Sequence, residues 1–252
     1  MNYIFLLGGK DLEMVEIKKM LEEEGKNVLD KDLSWGAKLS DYQKELKELD
    51  RNCTVVGIEL QGDIDVKNDY IEVDHHNENI NKESSIEQIA DLLGIELTRY
   101  QKMVSENDKG YIDALKDFGA NQEEIEEIRR ADRKNQGVSE EDEKLAEESL
   151  RENKEGVGGV IIVKSKTDKF SPICDRLYPT DKLIVYTDNE LNYYGQKAQK
   201  LGEKYKTEYG KDKVYYGGGE DGYFGFSNGA LDSEEIQEKV REVVEFVGEG
   251  DH

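Results

Sequence analysis

The stretch Tyr70-Ile-Glu-Val73-Asp74-His75-His76-Asn77 joins a strand to a group of polar side chains. Its apolar and β-branched residues predict a buried strand over 70–73, and the polar residues that follow predict a turn. In an α/β fold, ligands collect at the carboxyl ends of such strands. Neutral imidazole binds Mn²⁺, Zn²⁺ or Fe²⁺ well, and a neighbouring carboxylate can orient it or share the ion. A polar strand-to-loop turn without function explains Asp74-His75-His76 equally well.

Strands and helices alternate on both sides of this stretch. The apolar run from Tyr3 to Leu7, ended by Gly8-Gly9, predicts a strand buried on both faces. Residues 54–58 predict another strand, and helical periods occupy 12–21 and 42–49. Ser84 and Glu87 form a capping box that opens a further helix. This alternation predicts parallel βαβ units, whose strand ends meet at one edge of the sheet.

Acidic residues follow the predicted strands. Asp11 and Glu13 come after the first strand, Glu59 ends the second, and Asp108 precedes Gly110. Asp11 alone is explained equally well as a helix N-cap, and Asp108 as a turn residue. Glu59 interrupts the apolar run 55–60, where an unpartnered carboxylate is costly to bury. Acids from several strand ends together with a histidine are typical of a two-metal site that activates water.

The second half of the chain is separated from the first by a change in composition. Residues 121–155 are nearly all charged, Gln and Ala, interrupted at Gly137, and predict two helices that connect domains. Solvated helices packed on one body fit equally well. After Gly156 the alternation of strands and helices restarts. We therefore predict an α/β domain over 1–120 with a parallel sheet, a charged helical connector over 121–155, and a smaller α/β domain over 156–252.

The charge balance excludes several classes of function. The chain of 252 residues carries 58 acidic and 35 basic side chains, a formal net charge of −23. Binding of long duplex nucleic acid needs clustered Lys and Arg, which this composition does not favour. It also argues against a polybasic membrane binder. If the protein binds a nucleotide, we expect a small one.

Location in the cell is predicted from the apolar runs and the cysteines. Apolar runs of six or seven residues are far shorter than the roughly 20 residues needed to span a bilayer. The first residues lack a basic segment and a cleavage site for secretion. Cys53 and Cys174 stand alone next to apolar residues, which favours small buried thiols over a disulfide or a zinc site. We therefore expect a cytoplasmic protein.

The order of these motifs resembles the DHH phosphoesterase superfamily over nearly the whole chain. Its members include RecJ-type exonucleases, oligoribonucleases, cyclic-dinucleotide phosphodiesterases and manganese pyrophosphatases. Asp74-His75-His76 reproduces the signature tripeptide, while Asp11-Leu12-Glu13, Glu59 and Asp108-Lys109-Gly110 resemble the other acidic motifs. The segment from Gly217-Gly218-Gly219 to Phe226 has the spacing of the glycine motif in the DHHA1 domain that follows in many members. The resemblance therefore implies a DHH domain joined to a DHHA1-like domain.

The resemblance also implies roles for single residues. Glu59 and Asp108 would bridge divalent ions, with Mn²⁺ favoured over Mg²⁺ and one or two ions bound. Asp11, Glu13 and His75 would complete the metal site. Asp74 would orient His75, and His76 would contact the phosphate or protonate the leaving oxygen. The expected substrate contacts are made by Gly217, Gly218, Gly219, Glu220 and Arg176.

Two further sets of substrate contacts rest on weaker signals. Lys182 is a second candidate for contact with a phosphate. The aromatic residues around the glycines could stack a base, although a place in the core of a strand explains them at least as well. These aromatic residues are Tyr215, Tyr216, Tyr223 and Phe224.

Several positions depart from the family pattern. No histidine precedes His75, so the histidine of the first motif is missing, and its place falls on Leu7 or Gly8. Glu13 and Glu59 stand where aspartates are usual. Glu220 replaces the histidine after the glycines, where a carboxylate repels phosphate unless a cation intervenes. These changes are expected to weaken one metal position and to favour a substrate other than ordinary nucleic acid.

Two main hypotheses of function follow. The first is a metal-dependent phosphoesterase that acts on a small nucleotide or a short oligonucleotide. The second is a catalytically impaired DHH-like protein that binds a nucleotide or a protein partner without turnover. A pyrophosphatase is a weaker third hypothesis, since the glycines with their aromatic neighbours argue against it. The sequence leaves a homodimer open.

Overall fold

A computed structural model describes residues 2–34, 36–76 and 79–248 of the chain. Its contacts divide the chain into two compact units, Met1–Gly137 and Val138–His252. Asn77, the last residue of the quoted stretch, and His252, the third histidine of the sequence, lie outside the described residues.

The first unit contains a four-stranded parallel sheet in the order β2-β1-β3-β4. Leu7 of β1 is level with Ile58 of β3, which is level with Val73 of β4. The prediction of parallel βαβ units is therefore confirmed, and the carboxyl ends of these three strands are adjacent. The elements of this unit are β1 (Asn2–Leu7), α1 (Leu12–Glu23), β2 (Asn27–Leu29), a 3-10 helix (Leu39–Tyr42), α2 (Gln43–Glu48), β3 (Cys53–Ile58), β4 (Tyr70–Val73), α3 (Ser85–Leu93), α4 (Arg99–Asp117) and α5 (Gln122–Asn135).

The continuous apolar run of β1 is explained by burial on both faces of this sheet. Phe5 and Leu7 pack with α1 and α3, while Ile4 and Leu6 pack with the 3-10 helix on the opposite face. Successive side chains of a strand point to opposite faces, so a strand with both faces covered needs apolar residues throughout. This packing fixes the level at which β1 ends, and with it the position of Asp11 and Glu13.

The second unit contains a six-stranded mixed sheet in the order β5-β6-β7-β8-β10-β9. β6 and β7 are parallel, whereas the other neighbours are antiparallel. Core side chains of α8 and α9 pack in one cluster, and those of α6 and α7 in another. The elements are α6 (Glu140–Glu152), β5 (Lys154–Val157), β6 (Val160–Lys164), α7 (Ser171–Leu177), β7 (Lys182–Tyr186), β8 (Leu191–Gly195), α8 (Ala198–Tyr209), β9 (Val214–Gly217), β10 (Tyr223–Phe226) and α9 (Ser233–Gly248).

The charged stretch over 121–155 forms two helices, as its composition predicts. Each begins at a capping box, with Asn121 before α5 and Ser139 before α6. The division between the two units falls between Gly137 and Val138. α5 therefore belongs to the first unit and α6 to the second, and α5 lies against α4 and α1.

Two smaller expectations concern the membrane and the cysteines. Within the described residues, every helix is too short or too polar to cross a membrane, and the location of the protein in the cell stays a prediction. Cys53 is buried and Cys174 is partly buried, and they form no disulfide with each other. The prediction of a small buried thiol is therefore confirmed for Cys53, whereas Cys174 is only partly buried.

Candidate metal centre at the carboxyl ends of the strands

The acidic and histidine motifs of the first half of the chain meet at the carboxyl edge of the parallel sheet. Asp11 and Glu13 follow β1, Glu59 follows β3, and His75 and His76 follow β4. The register places the ends of these strands level with one another. The sequence therefore predicts correctly that these side chains share one edge of the sheet.

Four side chains of the predicted metal and phosphate contacts form a compact group. Glu59, His75, His76 and Asp108 each offer one ligand atom, and these atoms all lie within 4.8 Å of one another. His75 Nε2 is in direct contact with Asp108 Oδ2, and the two imidazole rings have centroids 4.2 Å apart. Carboxylate and imidazole donors in this number could hold a divalent metal ion.

Asp108 reaches the group from a helix. The alternative of a simple turn before Gly110 is wrong, because Asp108 lies inside α4. The turn signal of Gly110 instead marks a break in this helix, where Gly110 and Tyr111 leave helical geometry. Tyr111 has a φ of +60°, in the region that favours glycine. Asp108 thus stands just before a local distortion of the backbone.

Glu13 adds a deeply buried carboxylate beside His75. Glu13 is 2% exposed, and its Oε1 accepts a hydrogen bond of 3.0 Å from the Ile86 N–H. Oε2 lies 3.7 Å from His75 Nε2. Glu13 Oε2, His75 Nε2 and Asp108 Oδ2 are buried and make no hydrogen bond of normal geometry, although the last two atoms touch each other. Buried polar atoms are normally satisfied, so these three atoms fit ligands that face a cation.

The pKa values of the buried acids reflect the same crowding. Burial, followed by the charges of Asp108 and Glu59, raises the pKa of Glu13 well above its usual range. Burial and the Glu59 carboxylate raise the pKa of Asp11 to about 7. Asp11 is also the N-cap of α1, since Oδ1 accepts a hydrogen bond of 2.9 Å from the Met14 N–H. The capping role and a place beside the cluster are therefore compatible.

Glu59 occupies a special backbone position directly after β3. Its φ of +53° is rare for a residue other than glycine and is a kind of strain that concentrates at functional sites. Oε1 accepts a hydrogen bond of 2.8 Å from the Ser85 hydroxyl and lies 3.6 Å from His76 Nε2. Burial alone would raise the pKa of Glu59, but contacts with His76, Ser85 and Glu13 together outweigh it and lower this pKa. The same pairing raises the pKa of His76 to about 9.

Asp74 contacts the loop around it rather than the ring of His75. Oδ1 accepts a hydrogen bond of 2.9 Å from the His76 N–H, and Oδ2 accepts one of 3.1 Å from the Asn79 side chain. Asp74 therefore fixes the backbone between the two histidines. This is an indirect way to orient them.

A cavity of about 370 Å³ opens next to this group. His76, Glu59, Asp11 and Asp74 line one part of it, and Lys10 contributes a positive charge. The sequence did not single out Lys10, because one lysine in a strand-to-helix loop carries no signal. The same is true of Ser85, whose contact with Glu59 spans 26 positions of the chain. Both residues are recognisable only once the fold is known.

The residues predicted to contact substrate lie in the second unit. Gly217 ends β9, and Gly218 and Gly219 follow with φ of +75° and +76°, so only glycine fits this loop without strain. Glu220 is exposed beside them. Arg176 donates a hydrogen bond of 2.7 Å to Glu143 and one of 3.1 Å to Glu147, both on α6.

The other candidates of the second unit are divided between the core and the surface. Lys182 Nζ donates a hydrogen bond of 2.8 Å to the Val247 carbonyl oxygen in α9. Phe224 is fully buried and belongs to the core, whereas Tyr215 and Tyr223 are 36% and 39% exposed. Tyr216 is partly buried against the core. The alternative of a place in the core therefore applies to Phe224, and base stacking by Tyr215 and Tyr223 stays a prediction.

Comparison with known proteins places the fold. No protein-family model and no curated protein matches the sequence. Among solved structures, a pGpG-specific phosphodiesterase, PggH, from Vibrio cholerae is similar with a TM-score of 0.57 and 12% identity, over 98% of this chain and 99% of that chain. The DHH domain of a member of the s1p family of ribosomal proteins has a TM-score of 0.54 and 10% identity, over 96% and 87%.

A third similar structure is RecJ from Thermus thermophilus in complex with Mn²⁺. It has a TM-score of 0.47 and 11% identity, over 98% of this chain and 52% of that chain. The first two likenesses show that the chain shares the fold of these two proteins, one of which is a DHH domain. The resemblance predicted from the sequence motifs is therefore confirmed at the level of the fold, including its α/β class.

Proposed function

We propose that the protein is a metal-dependent phosphoesterase that acts on a small nucleotide substrate. The observation that carries this proposal is the group formed by Glu59, His75, His76 and Asp108, with ligand atoms within 4.8 Å of one another. Buried atoms of Glu13, His75 and Asp108 without hydrogen-bond partners support it. Such an arrangement is costly in the absence of a cation, because like charges repel and buried polar atoms need partners.

In this proposal, Glu59, His75 and Asp108 bind divalent ions, with Asp11 and Glu13 completing the site. Divalent ions, with Mn²⁺ favoured by the imidazole donors, would lower the pKa of a water molecule and neutralise the charge of the phosphate. His76 lines the cavity, its Nε2 lies 3.6 Å from Glu59 Oε1, and Glu59 raises the pKa of His76 to about 9 in the metal-free protein. It can therefore contact the phosphate or donate a proton to the leaving oxygen. Asp74 fixes the backbone on which both histidines stand.

The proposed substrate class is a dinucleotide or an oligonucleotide of a few residues. The phosphodiesterase that matches 98% of this chain is specific for pGpG, a dinucleotide. The net charge of −23 disfavours long polyanions. In the second unit, the glycine loop over 217–219, Glu220 and Arg176 are the proposed contacts with this substrate.

The test is hydrolysis by the purified protein with Mn²⁺ of a panel that contains pGpG, a cyclic dinucleotide and longer oligonucleotides. Wild type is expected to hydrolyse at least one short substrate. His75→Ala and Asp108→Ala are expected to lower kcat/KM by about 100-fold or more, since several kcal/mol of charge stabilisation is lost. Asp117→Ala is the matched control, because Asp117 is exposed and is the last residue of α4, beyond the break that follows Asp108.

Activity that is unchanged in both site variants would contradict the proposed site. Metal binding and dinucleotide binding by wild type without any turnover would contradict the proposed enzyme activity and point to a binding protein.

A further inference from the structure

Arg129 is a buried cation in a helix whose sequence predicts a solvated surface. It lies in α5 and is 7% exposed. Nη1 donates a hydrogen bond of 2.8 Å to Asp132 Oδ2 and one of 2.9 Å to Asn107 Oδ1. The guanidinium carbon lies 4.2 Å from the centre of the Tyr111 ring. A buried ion pair contributes little net stability. Net stabilisation therefore does not explain this pair, and a role in positioning other residues is the alternative.

The contacts of Arg129 enclose a candidate metal ligand. Asn107 directly precedes Asp108, and Tyr111 follows it by three residues at the break in α4. Arg129 donates a hydrogen bond to the side chain of Asn107 and stacks on the ring of Tyr111. Tyr111 has φ of +60° and ψ of −145°, a strained conformation that persists only when surrounding contacts fix it. One guanidinium therefore fixes the backbone on both sides of Asp108.

Asp132 connects Arg129 to a second segment of the chain that carries candidate metal ligands. Its Oδ1 faces the Leu12 N–H at 3.4 Å, and Leu12 stands between Asp11 and Glu13. Gln136 donates to both oxygens of Asp132 at 3.1 Å. Asp132 is 5% exposed. The pair formed by Arg129 and Asp132 thus joins the start of α1 to the break in α4, which are the two segments that carry Asp11, Glu13 and Asp108.

We infer that Arg129 and Asp132 are positioning residues for the metal site. They act through Asn107, Tyr111 and Leu12, and neither belongs to the group formed by Glu59, His75, His76 and Asp108. This inference rests on the proposed metal-dependent function. Residues that orient metal ligands from outside typically change metal affinity by 10- to 100-fold when they are replaced. α5 is therefore part of the metal site as well as a structural helix.

The first test is calorimetric titration of the metal-free protein with Mn²⁺. Arg129→Met is expected to weaken Mn²⁺ affinity by at least about tenfold, and Arg129→Lys is expected to restore part of it, because one hydrogen bond can re-form. Arg99→Met is the matched control. Arg99 also joins α4 to α5, through hydrogen bonds to Glu124, and lies against the Phe118 ring, but it is exposed and nine residues from Asp108.

The second test separates positioning from folding. Glycine adopts a φ of +60° without strain, so Tyr111→Gly relieves the backbone while it removes the ring beneath Arg129. We expect Tm to change little and Mn²⁺ affinity to fall by about tenfold. An affinity that follows Tm across the variants would assign Arg129 a purely structural role and overturn the inference.

The remaining outcomes distinguish this inference from the function on which it rests. Wild type that binds no Mn²⁺ would overturn both. Tight binding by wild type and equally tight binding by Arg129→Met and Tyr111→Gly would overturn the inference alone and leave the proposed phosphoesterase intact.

Discussion

At the scale of one residue, Asp108 shows why a cluster of candidate metal ligands destabilises the folded protein in the absence of metal. Its carboxylate touches His75 and lies close enough to Glu13 to raise the pKa of that buried acid. Asp108→Asn keeps the size of the side chain but removes one negative charge. We expect the metal-free variant to be more stable than wild type by about 1 kcal/mol, because a like-charge interaction is lost.

The measurement for Asp108→Asn is thermal unfolding with EDTA and with Mn²⁺. The Tm of wild type is expected to rise on addition of Mn²⁺, since an ion that binds only the folded state stabilises it. The Tm of the variant is expected to rise little. Asp117→Asn, on the same helix, should respond to Mn²⁺ like wild type. A less stable metal-free Asp108→Asn protein would contradict this account of the cluster.

Lys10 makes a different prediction at the same scale. Among the described residues that line the cavity it supplies the sole lysine or arginine charge, next to Asp11, Glu59, Glu72 and Asp74. We propose that it contacts a phosphate of the substrate. A hydrogen bond between charged groups contributes about 1.5–3 kcal/mol, so Lys10→Ala should raise KM by about tenfold or more and leave Mn²⁺ affinity undiminished.

Lys26→Ala is the control for Lys10→Ala. Lys26 is exposed, lies shortly after α1 and does not line the cavity. Steady-state kinetics on a dinucleotide separate KM from kcat, and a KM equal to that of wild type would exclude the contact.

At the scale of elements, the N-terminus of α3 combines a helix cap with a contact to α4. Ser84 caps the helix through the Glu87 N–H, and its hydroxyl donates a hydrogen bond of 2.9 Å to Ser105 in α4. Ser84→Ala removes the cap together with the buried hydrogen bond to Ser105, which should lower the free energy of unfolding by about 2 kcal/mol. Urea unfolding measures this change. Ser139→Ala, at the exposed cap of α6, should cost about 1 kcal/mol; equal losses would contradict a special role of the buried cap.

The sequence predicts the elements whose pattern is strong and local. The buried run of β1 and the capping box of Ser84 form as predicted. The strand before Asp74 also forms, but it is the edge strand β4, in which only Val73 is buried, and not the buried strand that the sequence predicts. β2 was missed because a three-residue edge strand, Asn27–Leu29, has no period to detect. The helical position of Asp108 was also missed, because a glycine two residues later suggests a turn, while packing against α5 keeps the segment in one broken helix.

The sequence predicts the residues of the candidate site that follow strands, but it does not predict the residues that contact them. Asp11, Glu59 and the two histidines each follow a recognisable strand, so topology alone brings them together. Ser85 and Arg129 act through contacts that span more than 20 positions of the chain. Such contacts depend on how α3 and α5 pack, and a single sequence does not encode that packing in any local pattern.

For the molecule as a whole, the net charge of −23 predicts an unusual dependence on salt. A protein with a basic binding face loses affinity for nucleic acid as salt rises. Here the long-range force on a polyanion is repulsive, and salt screens it with a Debye length of about 10 Å at 0.1 M. A longer substrate carries more charge outside the site and therefore gains more from screening.

We accordingly expect kcat/KM for an oligonucleotide of about 20 residues to be low at about 20 mM salt and to rise toward about 200 mM, while kcat/KM for a dinucleotide changes much less. Steady-state kinetics at constant free Mn²⁺ measure both substrates, and Asp108→Ala provides the background. A fall in kcat/KM with salt for the long substrate would reveal an attractive polyanion-binding surface and contradict the preference for short substrates. Because local attraction at the metal site is the same for both substrates, the ratio of the two kcat/KM values isolates the contribution of the overall charge.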